Sequence, residues 1–287
     1  MSGTKTCWGI YRESEHSPGR INDDAAILNL VGEAMAARGF NVELLPPDAA
    51  DSAFEAPGAN IFAMCERGEI LDRLKTAAEA GAIVVNSPDA IRNTYRHRIV
   101  ERFVRHHVPA PASQVIATDA KQSLPAADVW IKRYDFHATQ SNDVVYAASE
   151  QGWREALDRF AGRGIPFVVV QEHVPGDLIK FYGVSRCDAD EPESCWFEWF
   201  YHRDKGIMGY AFDAARLRDV ALSAAAALGV EIFGGDAIVR PDGEPVIIDL
   251  NAWPSYAPYR DRAVRAIANY LTNRFRRRLR AVTQIRN

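Results

Sequence analysis

Cysteine is scarce. The 287 residues contain four, Cys7, Cys65, Cys187 and Cys195, and no C-x-x-C pair occurs. A zinc-ribbon or disulfide-framework protein is thereby excluded, and free thiols in a reducing compartment are expected. Cys187 and Cys195 flank an acidic loop and are close enough in sequence to approach each other. Long apolar runs are also missing. Nothing nears the ~20 residues that span a membrane, and the start, Met1-Ser-Gly-Thr-Lys-Thr-Cys-Trp8, has no apolar signal core. A cytoplasmic location is the expectation. Positive charge is not in excess either, since the formal net charge is -4. That argues against nucleic-acid binding through a basic surface. Repeats, low-complexity segments and a glycine-rich phosphate loop are absent as well.

What is present is an ordinary globular composition, 47% hydrophobic and 25% charged, with length for two domains or three lobes. Strands are expected over 6–12, 40–45, 60–64 and 82–85. Helices are expected between them over 23–38 and 70–80. Ile27, Leu30, Val31, Ala34 and Met35 give the first helix its apolar face. This alternation predicts a parallel sheet covered by helices. Ligands of such sheets gather beyond the carboxyl ends of the strands, where Arg12 and Arg20 lie. Ser87 caps a helix with Pro88 at its first position, and a second helix runs over 95–107. Short strands follow at 113–117, 129–133 and 144–147, then a helix at 149–160. Strands at 167–173, 178–185 and 195–201, a helix at 212–228 and a last helix at 259–280 complete the reading. Asp188–Ser194 is a short acidic candidate for disorder.

Two arms, Gly235–Arg240 and Val246–Ser255, flank Pro241-Asp242-Gly243-Glu244 and read as a β-hairpin. A two-residue turn at Asp242-Gly243 sets Asp236 opposite Asp249. Asn251 then points to the same face, with Gly234 across from it leaving space for an ion or ligand. Facing carboxylates repel unless a proton or cation lies between them, and all-oxygen ligands suit Mg2+. The other reading sends both acids to solvent in ion pairs with neighbours such as Arg240. A three-residue loop would slip the register and break the pairing.

Lys132 stands in the apolar strand Val129-Trp-Ile-Lys132. It is either a buried cation that needs an anion or an edge-strand lysine with its head in solvent. The loop Asp135–Asp143, with His137 and Thr139, is small and polar enough to lie over phosphates. The segment Phe167–Gly183 runs from a buried strand through a polar hinge to a Pro-Gly turn and a strand carrying Lys180. Such a hinge offers backbone hydrogen bonds to an adenine edge, an acid beyond it holds ribose, and Lys180 reaches phosphates.

These pieces, in this order, resemble the ATP-grasp superfamily over nearly the whole chain. They are Lys132, the hinge Gln171-Glu172-His173-Val174, Asp177 and Lys180, and the ligand set Asp236, Asp249 and Asn251. The resemblance implies an α/β fold of three lobes. Residues 1–87 form a parallel-sheet N-terminal lobe, 88–172 a small central lobe, and 173–287 a C-terminal antiparallel lobe with the metal site. It implies Mg2+ and ATP as cofactors and a small-molecule acceptor, with no nucleic-acid or membrane partner. Asp236, Asp249 and Asn251 would hold the metal. Lys132, Lys180 and Arg98 would hold phosphates, Gln171 to Val174 the base, and Asp177 the ribose. Arg12, Arg20, His137, Asn251 and Ser255 would face the acceptor. Within the superfamily, Asp249-Leu-Asn251-Ala-Trp-Pro-Ser255-Tyr is similar to the metal motif of ATP-grasp inositol-phosphate kinases. Lys132 with His137-Ala-Thr139 is similar to their lysine and His-Gly-Thr. That favours γ-phosphoryl transfer to a polyol-like acceptor. The ligase branch, with its usual Glu-x-Asn, is the alternative: carboxylate–amine joining through an acyl phosphate.

Three further stretches have plain readings. Arg96-His97-Arg98 is a helix face that reaches solvent or phosphate. His202–Gly206 is a charged turn. Arg274–Arg280 is a cationic helix end that suits the dipole.

Overall fold

The computed structural model describes residues 5–120, 122–135, 137, 140–184, 195–202 and 206–285. Three four-stranded sheets organise the chain. The first is parallel and contains β1 (Lys5–Ile10), β2 (Phe40–Leu45), β3 (Asn60–Ala63) and β4 (Ile83–Val85), in the order β2-β1-β3-β4. Helices α1 (Ile21–Ala36), α2 (Asp51–Glu55) and α3 (Gly68–Glu79) connect its strands. This is the arrangement the alternating pattern predicts; α2 carries no periodicity long enough to read.

Next come α4 (Pro88–Asn93) and α5 (Arg96–Arg105). The Ser87 hydroxyl accepts from the Ala90 N–H at 3.2 Å, as the cap reading requires. The second sheet is antiparallel, with β5 (Ser113–Ala117), β6 (Val129–Arg133), β7 (Val144–Ala147) and β8 (Phe167–Glu172) in the order β5-β8-β6-β7. One face is covered by α6 (Glu150–Gly162), whose Trp153, Leu157 and Phe160 meet Ile131, Val168 and Val170 in a closed core. The third sheet, also antiparallel, contains β9 (Asp177–Val184), β10 (Trp196–Tyr201), β11 (Ile232–Val239) and β12 (Pro245–Ala252), ordered β10-β9-β11-β12. It carries α7 (Ala214–Leu228) and α8 (Arg260–Ile285).

The central sheet has a core of its own. The first and third sheets share two. One joins Ile10, Ile61 and Leu71 with Phe181, Val220 and Ile247, and also takes in Ile91, Ile99 and Phe103 of α4 and α5. The other joins Ile27, Val31 and Phe62 with Trp253, Tyr256 and Leu271. The helices over 88–105 therefore bury against the outer lobes rather than against the central one.

Some sequence expectations change. Cys7 and Cys65 are free and buried, but Cys195 is disulfide-bonded, so the free-thiol reading fails there. Cys187, the acidic stretch Asp188–Ser194, Ala138, Thr139 and Arg203–Lys205 lie outside the described residues. In the basic C-terminal run, Arg276 donates to the Arg38 carbonyl at 2.9 Å and Arg274 lies 3.8 Å from Glu231. The side chains of 277–280 are outside the described set. Among the described residues no helix is long and apolar enough to cross a membrane.

Candidate active site between two sheets

The hairpin β11–β12 reaches the expected register by an unexpected route. Its loop has three residues, not two. Arg240 N–H bonds Glu244 C=O at 3.1 Å, Gly243 N–H bonds Arg240 C=O at 2.9 Å, and Gly243 has φ +84°. Near the tip the register accordingly pairs Val239 with Pro245 and Ala237 with Ile247. A bulge between Asp236 and Ala237 then adds one residue, Ile248, on the opposing strand and restores Asp236 opposite Asp249. Ile248 and Asp249 consequently both line the cleft between the central and third sheets. The Ile248 carbonyl is released from the ladder and accepts from Lys132 Nζ at 3.0 Å. Asn251 does face Gly234, but the space there is filled. A Cβ at 234 would lie 2.7 Å from Pro254 and 2.8 Å from Tyr182. Glycine at 234 serves packing and leaves no vacancy for an ion.

Two cavities meet at this hairpin. A cleft of about 430 Å³ is lined by Trp130, Lys132, Val144, Gln171, Glu172, His173, Val174, Leu178, Ile238 and Ile248, and ends at Asp236 and Asp249. A chamber of about 380 Å³ begins at the same two aspartates. It extends past Asn251, Lys180, Arg96, His137 and Ser255 to Arg20, Asp24 and Glu66 of the first lobe. The cleft is mostly apolar and the chamber mostly charged.

Lys132 is buried, because β6 lies between β8 and β7; the edge-strand reading is overturned. Its ammonium donates to Gln171 Oε1 at 2.8 Å. Burial pushes its pKa down to about 8, against the pull of Asp249. Lys180 sits in register with Asp236 and pairs with it at 2.7 Å. Arg96 lies 3.4 Å from Asp249, and its buried Nε has no partner among the described residues. Burial alone would raise the Asp249 carboxyl, but Arg96 and Lys132 outweigh it and hold it below the usual range.

Three expected ligand residues are placed differently. Asp177 is fully buried and accepts from the backbone N–H of Met208, Gly209 and Tyr210 at 2.6, 2.9 and 3.0 Å. It braces a loop and does not line the cleft, so the ribose role fails. Arg98 lines neither cavity; Arg96, two residues earlier on α5, lines the chamber. Arg12 borders the chamber, but its guanidinium is taken up by Asp24 (3.1 Å), Glu66 (3.2 Å) and three backbone carbonyls. Arg20 is exposed in the chamber and has no ion-pair partner among the described residues.

His137 reaches back to the first lobe. Its Nδ1 lies 2.8 Å from Glu66 Oε2 and its Nε2 lies 3.1 Å from the His16 carbonyl. Both ring nitrogens face acceptors, which suits the imidazolium. Burial opposes that charge, but Glu66 outweighs it and raises the His137 pKa. The sequence reading leaves out Glu66. Its place just past β3, at the carboxyl end of a parallel strand, was the available signal.

Asp236 and Asp249 thus present two carboxylates to both cavities, and Asn251 of the same hairpin adds an amide on the chamber side, a donor set that suits a hard cation. Among the described residues no group of three or more His, Cys, Asp or Glu forms a metal cluster; the amide of Asn251 is needed to complete the set.

No protein-family model and no curated protein sequence matches the chain. Solved structures do. The D-alanine–D-alanine ligase from Coxiella burnetii aligns over 99% of both chains at 9% identity, with a TM-score of 0.70. A RimK domain ATP-grasp protein from Sphaerobacter thermophilus aligns over 92% of this chain and 99% of its own at 18% identity, with a TM-score of 0.65. The ATP-grasp ligase PsnB, solved with minimal precursor, Mg and ADP, aligns over 96% and 99% at 15% identity, again at 0.65. The parallel-sheet lobe, the two facing antiparallel sheets and these alignments make one assignment: the chain has the ATP-grasp fold.

Proposed function

We propose that the chain is an Mg·ATP-dependent ligase that activates a carboxylate as an acyl phosphate and joins it to an amine. One observation carries the reading. Asp236 and Asp249 form the shared wall of an apolar cleft suited to a purine and a charged chamber suited to a small polar acceptor. A γ-phosphoryl group at that wall lies within reach of both. Two of the similar solved structures are ligases by name, which favours ligation over the kinase outcome that the Asp249-x-Asn251 motif suggests.

In this reading Trp130, Val174, Leu178, Ile238 and Ile248 pack on the base, and the strand end Gln171–Val174 supplies backbone polar groups to its edge. Lys132, Lys180 and Arg96 hold phosphates, and Asp236, Asp249 and Asn251 hold the metal. When bound, the nucleotide would supply the phosphoryl group and the metal would neutralise its charge. The acceptor lies among Arg20, His137, Asn251 and Ser255. Its carboxylate oxygen forms a bond to the γ-phosphorus as the bond to ADP breaks. The amine nitrogen then bonds to the acyl carbon, phosphate leaves, and the amine loses a proton.

A screen of ATP consumption against paired acids and amines tests this. ADP and free phosphate released only with both co-substrates, and a hydroxamate formed when hydroxylamine replaces the amine, are the expected results. ADP with a stable phosphorylated acceptor and no free phosphate would instead establish the kinase reading.

A further inference from the structure

Arg12 joins the first and third lobes at one guanidinium and reaches the central lobe through Glu66. It follows β1, and its side chain is 8% exposed. Nε donates to Met64 C=O at 3.2 Å, and one terminal nitrogen donates to Asp24 Oδ2 at 3.1 Å. The other donates to Ala252 C=O at 3.1 Å and Trp253 C=O at 2.8 Å, and lies 3.2 Å from Glu66 Oε1. Glu66 in turn holds His137 of the central lobe. Ser17 Oγ donates to the same Asp24 oxygen at 2.7 Å, and the Glu66 N–H donates to Glu13 at 2.9 Å. The anchors of the guanidinium are themselves anchored.

The Ala252 and Trp253 carbonyls to which Arg12 donates are the first two after Asn251. The chain there leaves the sheet through a turn that side chains rarely adopt: Trp253 has φ +42° and Tyr256 has φ +52°. Left-handed backbone at a non-glycine residue is strained and persists only where its surroundings over-determine it. Here the surroundings can be named. The Trp253 indole is buried and stacks on Phe62 of the first sheet at 6.1 Å. Tyr256 Oη donates to Gly183 C=O and Phe233 C=O at 3.2 and 3.0 Å. Arg12 supplies the polar tie, satisfying the Ala252 and Trp253 carbonyls where the ladder ends.

We propose that Arg12 is a positioning residue for the metal hairpin, fixing the turn after β12 and through it the aim of Asn251 at the metal. It does not bind the acceptor, because its donors are already spent on the protein. Lysine cannot replace it, since one ammonium cannot serve two carbonyls and two carboxylates in a plane. The inference rests on the ligase reading only in assigning the metal to Asp236, Asp249 and Asn251.

The test is Mn2+ binding in the presence of ADP, followed by electron paramagnetic resonance, on the full chain. Asn251→Ala and Asp249→Ala are the controls for the metal site. Arg12→Lys is expected to weaken Mn2+ binding about tenfold, the scale of lost outer-shell support, while ADP affinity without metal stays at the wild-type value. Arg12→Gly is expected to lose as much and to recover in millimolar guanidinium, which a residue needed only for folding would not show. Unchanged Mn2+ affinity in both control variants would sink the metal assignment. Weakened controls together with wild-type affinity in folded Arg12→Lys would overturn the positioning role and leave the metal assignment standing. Should Arg12→Gly not fold, Arg12→Lys alone decides.

Discussion

The Lys180 ammonium lies 2.7 Å from the Asp236 carboxylate, directly opposite it in the β9–β11 ladder. Arg96, at the start of α5, lies 3.4 Å from the Asp249 carboxylate. Both acids of the hairpin are therefore already neutralised, and Lys132 adds a third cation to the site. A divalent ion arriving alone gains little from such a site, whereas a polyphosphate draws the cations to itself and releases the acids. Mn2+ should bind weakly without nucleotide and at least tenfold more tightly with ADP. Lys180→Met should raise the affinity for metal alone and lower turnover. Calorimetric titration of metal with and without ADP checks this; equal affinities in the two titrations would refute it.

The buried carboxylate of Asp177 gives a prediction of the opposite kind, a large stability effect without a binding effect. Three backbone N–H groups depend on it, and a buried donor left unsatisfied costs about 1–3 kcal/mol. Asp177→Ala should lower unfolding stability by about 2–4 kcal/mol in urea. The ratio of ATP to 2′-deoxy-ATP affinity should stay unchanged. A changed ratio would restore Asp177 as a ribose ligand.

Much of this architecture is legible in the sequence, and the exceptions have physical causes. β2, β5, β6 and β7 carry the expected boundaries, because apolar alternation and flanking turn residues fix both ends. The Asp236–Asp249 pairing holds although the loop is one residue longer than expected, because a bulge invisible to periodicity restores the register. For Asp177, Arg12 and Arg98 the sequence suggests ligand roles, because residue type and position along the chain do not reveal where a side chain turns. Asp177 went inward to three amides and Arg12 to two carbonyls some 240 residues away. Glu66 escaped because its partners, Arg12, His16 and His137, come together only in the fold.

The Glu66–His137 pair links the first lobe to the central one and sets a pH window. Burial would raise the Glu66 carboxyl, but His137 and Arg12 more than offset it, so its pKa lies well below the ordinary 4.5. Its contribution is present above 4.5 and lost as pH falls through that depressed value. The His137 pKa is raised above 6.5, so its contribution is complete below 6.5 and lost as pH rises through the folded value. Stability should therefore decline on the alkaline side of 6.5 by a component that His137→Gln removes. Thermal unfolding of both proteins from pH 5 to pH 9 provides the check; identical pH profiles would rule out the charged pair.

Lys132 runs against both of these. Its pKa is depressed from 10.5 to about 8 by burial. Below pH 8 the folded, ligand-free chain therefore carries a full penalty for the buried ammonium. Between about 8 and 10.5 the unfolded chain still binds a proton that the folded chain has released, so this group makes stability rise with pH there. The gap corresponds to about 3 kcal/mol at 1.36 kcal/mol per unit. Lys132→Met removes that penalty but leaves Gln171 Oε1 and the Ile248 carbonyl without their donor, which costs a similar amount. Near pH 7 the variant should match the wild type to within about 2 kcal/mol and lose the rise above pH 8. ATP affinity should fall at least tenfold, since a buried cation facing a cleft is stabilised by the anion that fills it. Urea unfolding at pH 7 and pH 10, paired with nucleotide titration, separates the two effects. A variant that kept both the alkaline rise and the wild-type ATP affinity would show that the buried ammonium serves neither.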